Sequence, residues 1–265
     1  MADRRVVQRA ALFVGLGNYT HPATRHSIGQ YALRPLIECM QAHDRDMRAN
    51  IARRVARLPP ETLRHTLPPP TPAKPFTLHR KAQGWLAHVS VLLDSLPPKG
   101  AAARRAPGFR ADSCPYVLVH ITLYIPRLLM NVNGVGVRAA LAQLPDLGIS
   151  DTLLVHDELQ RPFGRVALKW GGSASGHNGV RSVQDVLGCH GAARNEPDMA
   201  RVRIGIGRPD DGNVSAYVLG PMPPEWRQAC EMQPSAESNG WAPAPVLGAV
   251  WQQVQQWCLT HVPPT

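Results

Sequence analysis

Apolar and polar positions along the chain follow two periods, and each predicts its own elements. Leu12-Phe13-Val14 is a short apolar run closed by Gly15-Leu16-Gly17-Asn18, which predicts a buried strand entering a turn. From Ser27 onward Ile28, Tyr31, Ala32, Leu36, Ile37 and Met40 keep helical spacing, with Ser27 as the N-cap and Pro35 predicting a kink. Trp85 to Leu93 and Tyr116 to Ile125, rich in apolar and β-branched residues, predict strands, and Leu153-Leu154-Val155 predicts another that stops at His156-Asp157-Glu158. After the loop from Gly171 to Gly176, Val180, Val183 and Leu187 mark a helix face ending at Gly188. Val202, Ile204 and Ile206 alternate with Arg201, Arg203 and Gly205, a strand with one apolar face. Leu247, Val250, Val254 and Trp257 describe a last, amphipathic helix. Strands separated by helices predict an α/β layer fold around a largely parallel sheet, with the binding crevice beyond the carboxyl ends of the strands.

Composition changes this picture in one region. The 265 residues hold 29 Lys plus Arg against 19 Asp plus Glu, a net charge of +10 that points to a polyanionic partner, nucleic acid first. Residues 52–115 carry eleven of the cations, three of the acids and eleven of the 26 prolines. The segment therefore predicts two flexible basic insertions, at about 58–82 and 95–113, flanking the Trp85 strand. Residues 1–10 read as a short basic segment ahead of one domain spanning 11–265. Arg4, Arg5 and Arg9 are opposed by Asp3 and precede no amphipathic run, so cytosol and mitochondrion both stay open. No run of eighteen apolar residues predicts a membrane helix, and the five widely spaced cysteines, without a C-x-x-C pair, predict reduced thiols rather than disulfides or a structural zinc.

The polar residues that follow the strand ends carry the candidate chemistry. Asn18, His26, Asn131, Asp157 and Asn178 meet in one crevice if their strands are neighbours. A neutral imidazole takes a proton from water near neutral pH, and a carboxylate on its other nitrogen fixes the tautomer and stabilises the cation that forms. Asparagine grips ester or peptide groups and stabilises an oxyanion without adding charge. The plainer reading of each residue alone is a turn or cap. Other chemistries fit less well: Thr20 stands where a dinucleotide fingerprint needs its third glycine, no G-x-S-x-G or Walker loop occurs, the histidines lack metal-ligand spacing, and HDEL at 156–159 is internal.

VGLGNYTHPATRHSIG (14–29), LLMNVNGVGV (128–137), LLVHDELQRPFGRVALKWGGSASGHNGVRSV (153–183), RVRIGIGRP (201–209) and VSAYVLG (214–220) resemble, in order, the motifs of the bacterial-type peptidyl-tRNA hydrolases, with TRHS closer to eukaryotic members. The resemblance implies a compact single α/β domain around a twisted mixed sheet. It also implies a monomer acting on peptidyl-tRNA at its acceptor end and phosphate backbone, with no metal, cofactor or membrane, and cleavage of the ester between a peptide and the 3′ ribose. By the same resemblance His26 is the base that activates water, Asp157 its orienting carboxylate, and Asn178 the group that stabilises the transition state or holds the water. Asn18 and Asn131 bind the peptide, and His177 lines the channel. Lys169 and Arg203 fall on positions that hold tRNA phosphates, whereas Ala167 breaks the usual basic pair, so Arg104 and Arg105 of the insertion are expected to make up the charge. Asn133 stands where serine is common and touches none of the proposed catalytic groups. The rival reading is an RNA-binding protein, splicing-factor-like, that keeps the scaffold without catalysis; the presence of all five polar residues favours the enzyme.

Overall fold

Strict alternation in Val7–Gly15 (β1) sends Ala11 and Phe13 to one face and Leu12 and Val14 to the other, and all four are fully buried. A strand buried on both faces needs a layer on each side, and the chain supplies both. The computed structural model describes residues 6–56, 67–94, 116–190, 199–235 and 240–260. Ile28–Val55 (α1) and Pro245–Thr260 (α6) cover one face of a seven-stranded sheet, while Asn133–Leu141 (α2) and Asn178–Leu187 (α3) cover the other. The remaining strands are Lys74–His79 (β2), Gly84–Asp94 (β3), Tyr116–Pro126 (β4), Thr152–Glu158 (β5), Val166–Trp170 (β6) and Ala200–Gly205 (β7), in the order β2-β3-β4-β1-β5-β7-β6. The central strands β4, β1, β5 and β7 run parallel, and β3 and β6 run against the others, so the sheet is mixed and mostly parallel. Val214–Leu219 (α4), Pro224–Ala229 (α5) and the hairpin of Met232–Ser235 (β8) with Gly240–Pro243 (β9) follow β7. Among the described residues no helix is long and apolar enough to cross a membrane. Cys39, Cys189, Cys230 and Cys258 are buried and outside any disulfide, and burial pushes the thiols of Cys39, Cys230 and Cys258 up to about 12.

Several boundaries differ from the sequence reading. The expected loop over 58–82 contains β2, an edge strand on which Pro75 loses no ladder partner and the register shifts between Lys74 and Thr77. Proline content there marks an irregular sheet edge; the part of that insertion at 58–66 and the whole of 95–113 lie outside the described residues. β1 opens at Val7, so it takes in residues 7–10 of the supposed N-terminal segment. α1 runs on through Pro35. The missing N–H and ring clash cost about 3 kcal/mol, and the fully buried Ile28, Ala32, Leu33, Leu36 and Met40 on the same helix offset it. Gly29 explains how α1 reaches the sheet: a Cβ there would stand 2.1 Å from the Val155 carbonyl oxygen, so only glycine lets the first helical turn lie against β5.

Candidate active site

The carboxyl ends of β1, β4 and β5 open into a cleft of about 530 Å³ lined by Asn18, His26, Asn131, Asp157, His177 and Asn178, among others. Asp157, near the end of β5, is buried. Its Oδ1 accepts two hydrogen bonds, from His26 Nδ1 at 2.9 Å and from His177 Nε2 at 2.8 Å. Burial by itself would raise the Asp157 carboxyl, but the charge and hydrogen bonds of His177 and His26 outweigh it and hold the group well below the ordinary carboxylate range. An ionised carboxylate only accepts, so both imidazoles must donate to it.

The tautomers follow. His26 carries its proton on Nδ1 and keeps the Nε2 lone pair, on a ring that lines the cleft. His177 is the N-cap of α3: its Nδ1 accepts the Val180 N–H at 3.2 Å while Nε2–H donates to Asp157. Both of its nitrogens are committed, so His177 does more than line a channel; it locks the carboxylate onto a helix start. His156, whose ring centroid lies 4.6 Å from that of His177, donates from Nδ1 to the Asp157 carbonyl oxygen at 2.6 Å. Burial holds it neutral, its pKa well below the ordinary imidazole value.

Ser27 does not cap α1 as expected. It closes the 3-10 turn Arg25–Ser27 ahead of the helix, and its hydroxyl accepts the Asn18 N–H at 3.0 Å while donating to the His21 carbonyl at 2.8 Å. That turn delivers His26 to Asp157. The Asn18 Oδ1 accepts the Met130 N–H at 2.7 Å, which leaves its NH2 as the available donor. Asn131 and Asn178 are exposed on the cleft wall, neither bonded to a described protein group.

Two residues to which the sequence reading gave no part in the site hold these loops. Asn133, fully buried, accepts the Gly17 N–H at 3.2 Å and donates to the carbonyls of Gly17 at 3.2 Å and Leu129 at 2.7 Å. It ties the Asn18 loop to the Asn131 loop without touching either side chain. Arg201, expected on the exposed face of its strand, is 2% exposed, and its Nη2 donates to the carbonyls of Gly171, Gly172 and Ser173 at 2.5, 3.1 and 3.1 Å. The buried guanidinium satisfies the carbonyls of the glycine loop, and at Gly172 it shares the oxygen with Gln184 Nε2, which donates at 2.9 Å. Lys169 and Arg203 stand on the cleft wall, Arg203 paired with Glu158 at 3.1 Å, and Arg208 joins them. Burial and the nearby Arg201 and Arg203 lower the Lys169 ammonium. Arg104 and Arg105 lie outside the described residues.

His26, Asp157 and His177 are also the described group nearest to a metal-binding set, their donor atoms within 4.8 Å of one another. Each contact among them is an N–H donating to one carboxylate oxygen, so a cation would have to break both bonds to Asp157.

A family model described as peptidyl-tRNA hydrolase matches residues 94–239, and a probable peptidyl-tRNA hydrolase from Mus musculus is 34% identical over 227 residues, 85% of this chain and 80% of that protein. The chain belongs to the peptidyl-tRNA hydrolase family. A peptidyl-tRNA hydrolase from Pelobacter propionicus is 47% identical over 106 residues, 40% of this chain, so the match spans about half the length of that bacterial relative at 50%. A crystal structure of peptidyl-tRNA hydrolase from Acinetobacter baumannii shares the fold, with TM-score 0.52 and 20% identity over 97% of both chains. The span matched by the family model includes Asn131, Asp157, His177 and Asn178. Asn18 and His26 stand before it and join that span through the hydrogen bonds to Met130 and Asp157.

Proposed function

We propose that this protein hydrolyses the ester between a peptide and the 3′-terminal ribose of tRNA. The observation that carries the reading is the His26–Asp157 hydrogen bond of 2.9 Å at the base of a cleft walled by three asparagines and by cations. His26 Nε2 accepts a proton as water attacks the ester carbonyl carbon. Asp157 stabilises the imidazolium, and the proton returns to the ribose oxygen as the ester bond breaks, leaving a free peptide acid and a tRNA hydroxyl. Asn178, whose amide has no described protein partner, holds the water or stabilises the developing oxyanion, and Asn131, equally free of a described protein partner, binds the peptide. Asn18, its Oδ1 taken by Met130, offers N–H to the peptide. Lys169 and Arg203 meet the phosphates near the acceptor end.

The test is single-turnover cleavage of N-blocked aminoacyl-tRNA by the wild type and by His26→Ala. Loss of general-base assistance is expected to lower the rate by about 10²–10⁴, with tRNA affinity kept. A wild type that binds tRNA and cleaves no ester would favour the RNA-binding reading instead.

A further inference from the structure

The turn between β5 and β6 carries two arginines, Arg161 and Arg165, beside Arg203. Together with Gln160 and Pro162 they line a second, shallow cleft of about 470 Å³. Arg203 and Gln160 also line the main cleft, so the two are continuous. No acid lines the smaller one. Among the described residues neither Arg161 nor Arg165 has a side-chain hydrogen bond or an ion pair, and Arg165 is exposed.

The turn is held in place. The Arg165 N–H donates to the Pro162 carbonyl at 3.2 Å, and the Arg165 and Arg161 carbonyls accept the N–H groups of Gly205 at 2.9 Å and Gly207 at 2.7 Å. Gly205 is what allows this approach, because a Cβ there would stand 2.2 Å from the Pro162 carbonyl oxygen. Phe163 stacks on Trp226, ring centroids 4.0 Å apart and planes within 4°, and so anchors the turn on α5. Alternation along β6 sets Arg165, Ala167 and Lys169 on one face, and Ala167 lies opposite Arg203 across the ladder. The two arginines extend a row of cations outward from the site and pass over Ala167, where there is no charge.

We infer that Arg161, Arg165 and Arg203 form a second phosphate-binding subsite that grips the tRNA backbone beyond the acceptor end. The inference rests on the hydrolase reading for the direction in which the RNA leaves the main cleft. The braced turn fixes the backbone that carries Arg161 and Arg165, so only their side chains are ordered on meeting phosphate, and their contribution is largely counterion release.

The experiment measures the affinity of uncharged tRNA for the full chain against KCl concentration, so that it needs no catalysis. Arg161→Gln with Arg165→Gln is expected to lower the slope of log Kd against log salt by about 1.5 and to weaken binding roughly tenfold near 0.1 M salt, since each lost phosphate contact removes about 0.7–0.9 from the slope. Cleavage of an N-blocked aminoacyl ester of the terminal trinucleotide is expected to be unchanged. Arg161→Lys with Arg165→Lys keeps the charge and should keep the slope; a slope as low as that of the glutamine variant would mean packing rather than charge and would overturn the inference. So would an unchanged slope in the glutamine variant, or competition by polyglutamate as strong as by RNA of equal charge. Should the double variant not fold, each single glutamine variant decides the matter through a drop of about 0.8. A wild type with a steep slope and no ester cleavage would refute the hydrolase reading and leave the subsite standing.

Discussion

Asp157 accepts two imidazole N–H groups through one oxygen, and much of the site's chemistry depends on its being an acceptor only. In Asp157→Asn the amide would turn an NH2 toward one of those donors. His177 cannot yield easily, because its Nδ1 already accepts from Val180. His26 is the partner that flips, moving its proton to Nε2 and losing the lone pair that in the proposed reaction takes a proton from water. The expected outcome is a fall in kcat of about 10²–10⁴ with KM near that of wild type, measured by steady-state cleavage. An unchanged kcat would mean that His26 holds its tautomer without the carboxylate. The residues at strand ends were legible because their type already names their chemistry: Asn18 and Asp157 close apolar runs, and the cleft brings them together with His26, Asn131 and Asn178. Asn133 and Arg201 were not, since their role is to satisfy backbone groups of loops distant in sequence, and no local pattern reports which carbonyl a buried side chain will meet. Arg201 alternates with apolar neighbours as a solvent-facing residue would, and only tertiary packing buries it.

At the scale of elements, the apolar runs predicted β1, β3, β4, β5 and β7, and helical spacing predicted α1, α3 and α6, because each of these buries a continuous face. β2 and β6 escaped notice for the opposite reason. They are the two edge strands, half-buried or exposed along their length, so neither needs a continuous apolar run. α2 has no counterpart in the sequence reading because Asn133-Gly134 opens it, and the antiparallel run β2-β3-β4 departs from the simple strand-helix alternation expected. Two joints between elements are equally close, Gly29 of α1 against the Val155 carbonyl and Gly134 of α2 against the Ser182 carbonyl of α3, and the first bears on the site. Gly29→Ala would force α1 away from β5, and with it the turn that carries His26 to Asp157. The expected cost is about 1–3 kcal/mol, a fall in Tm of several degrees for a chain of this size, together with a lower kcat. A variant with unchanged melting temperature and activity would show that the helix start can shift without disturbing the pair.

For the molecule as a whole, titrating groups buried close to the site tie catalysis to acid stability. His156 is buried beside His177 with its Nε2 lacking a partner, and burial holds its pKa well below the ordinary value of 6.5. His43, on α1 against the Trp251 ring of α6, is lowered by burial in the same way. In the unfolded chain both take up a proton near pH 6.5, while in the fold they resist it. The unfolded state therefore binds more protons as pH drops below that value, and stability falls by up to about 1.4 kcal/mol per pH unit for each such group. Asp157 acts lower down: its depressed folded pKa gives a contribution that is complete above the unfolded value of 3.8 and lost as pH falls through the folded one. Stability should thus decline in two stages. His156→Asn removes one titration without removing the possible donor to the Asp157 carbonyl, so urea unfolding at pH about 7.5, 6 and 5 is expected to show a shallower loss than in wild type. Parallel curves would mean that His156 protonates in the folded state, against its burial and the missing partner of its Nε2. The same measurement separates two causes of an acid limb in the rate profile. If the variant keeps the wild-type limb while its stability curve flattens, the limb belongs to the reaction itself and not to partial unfolding.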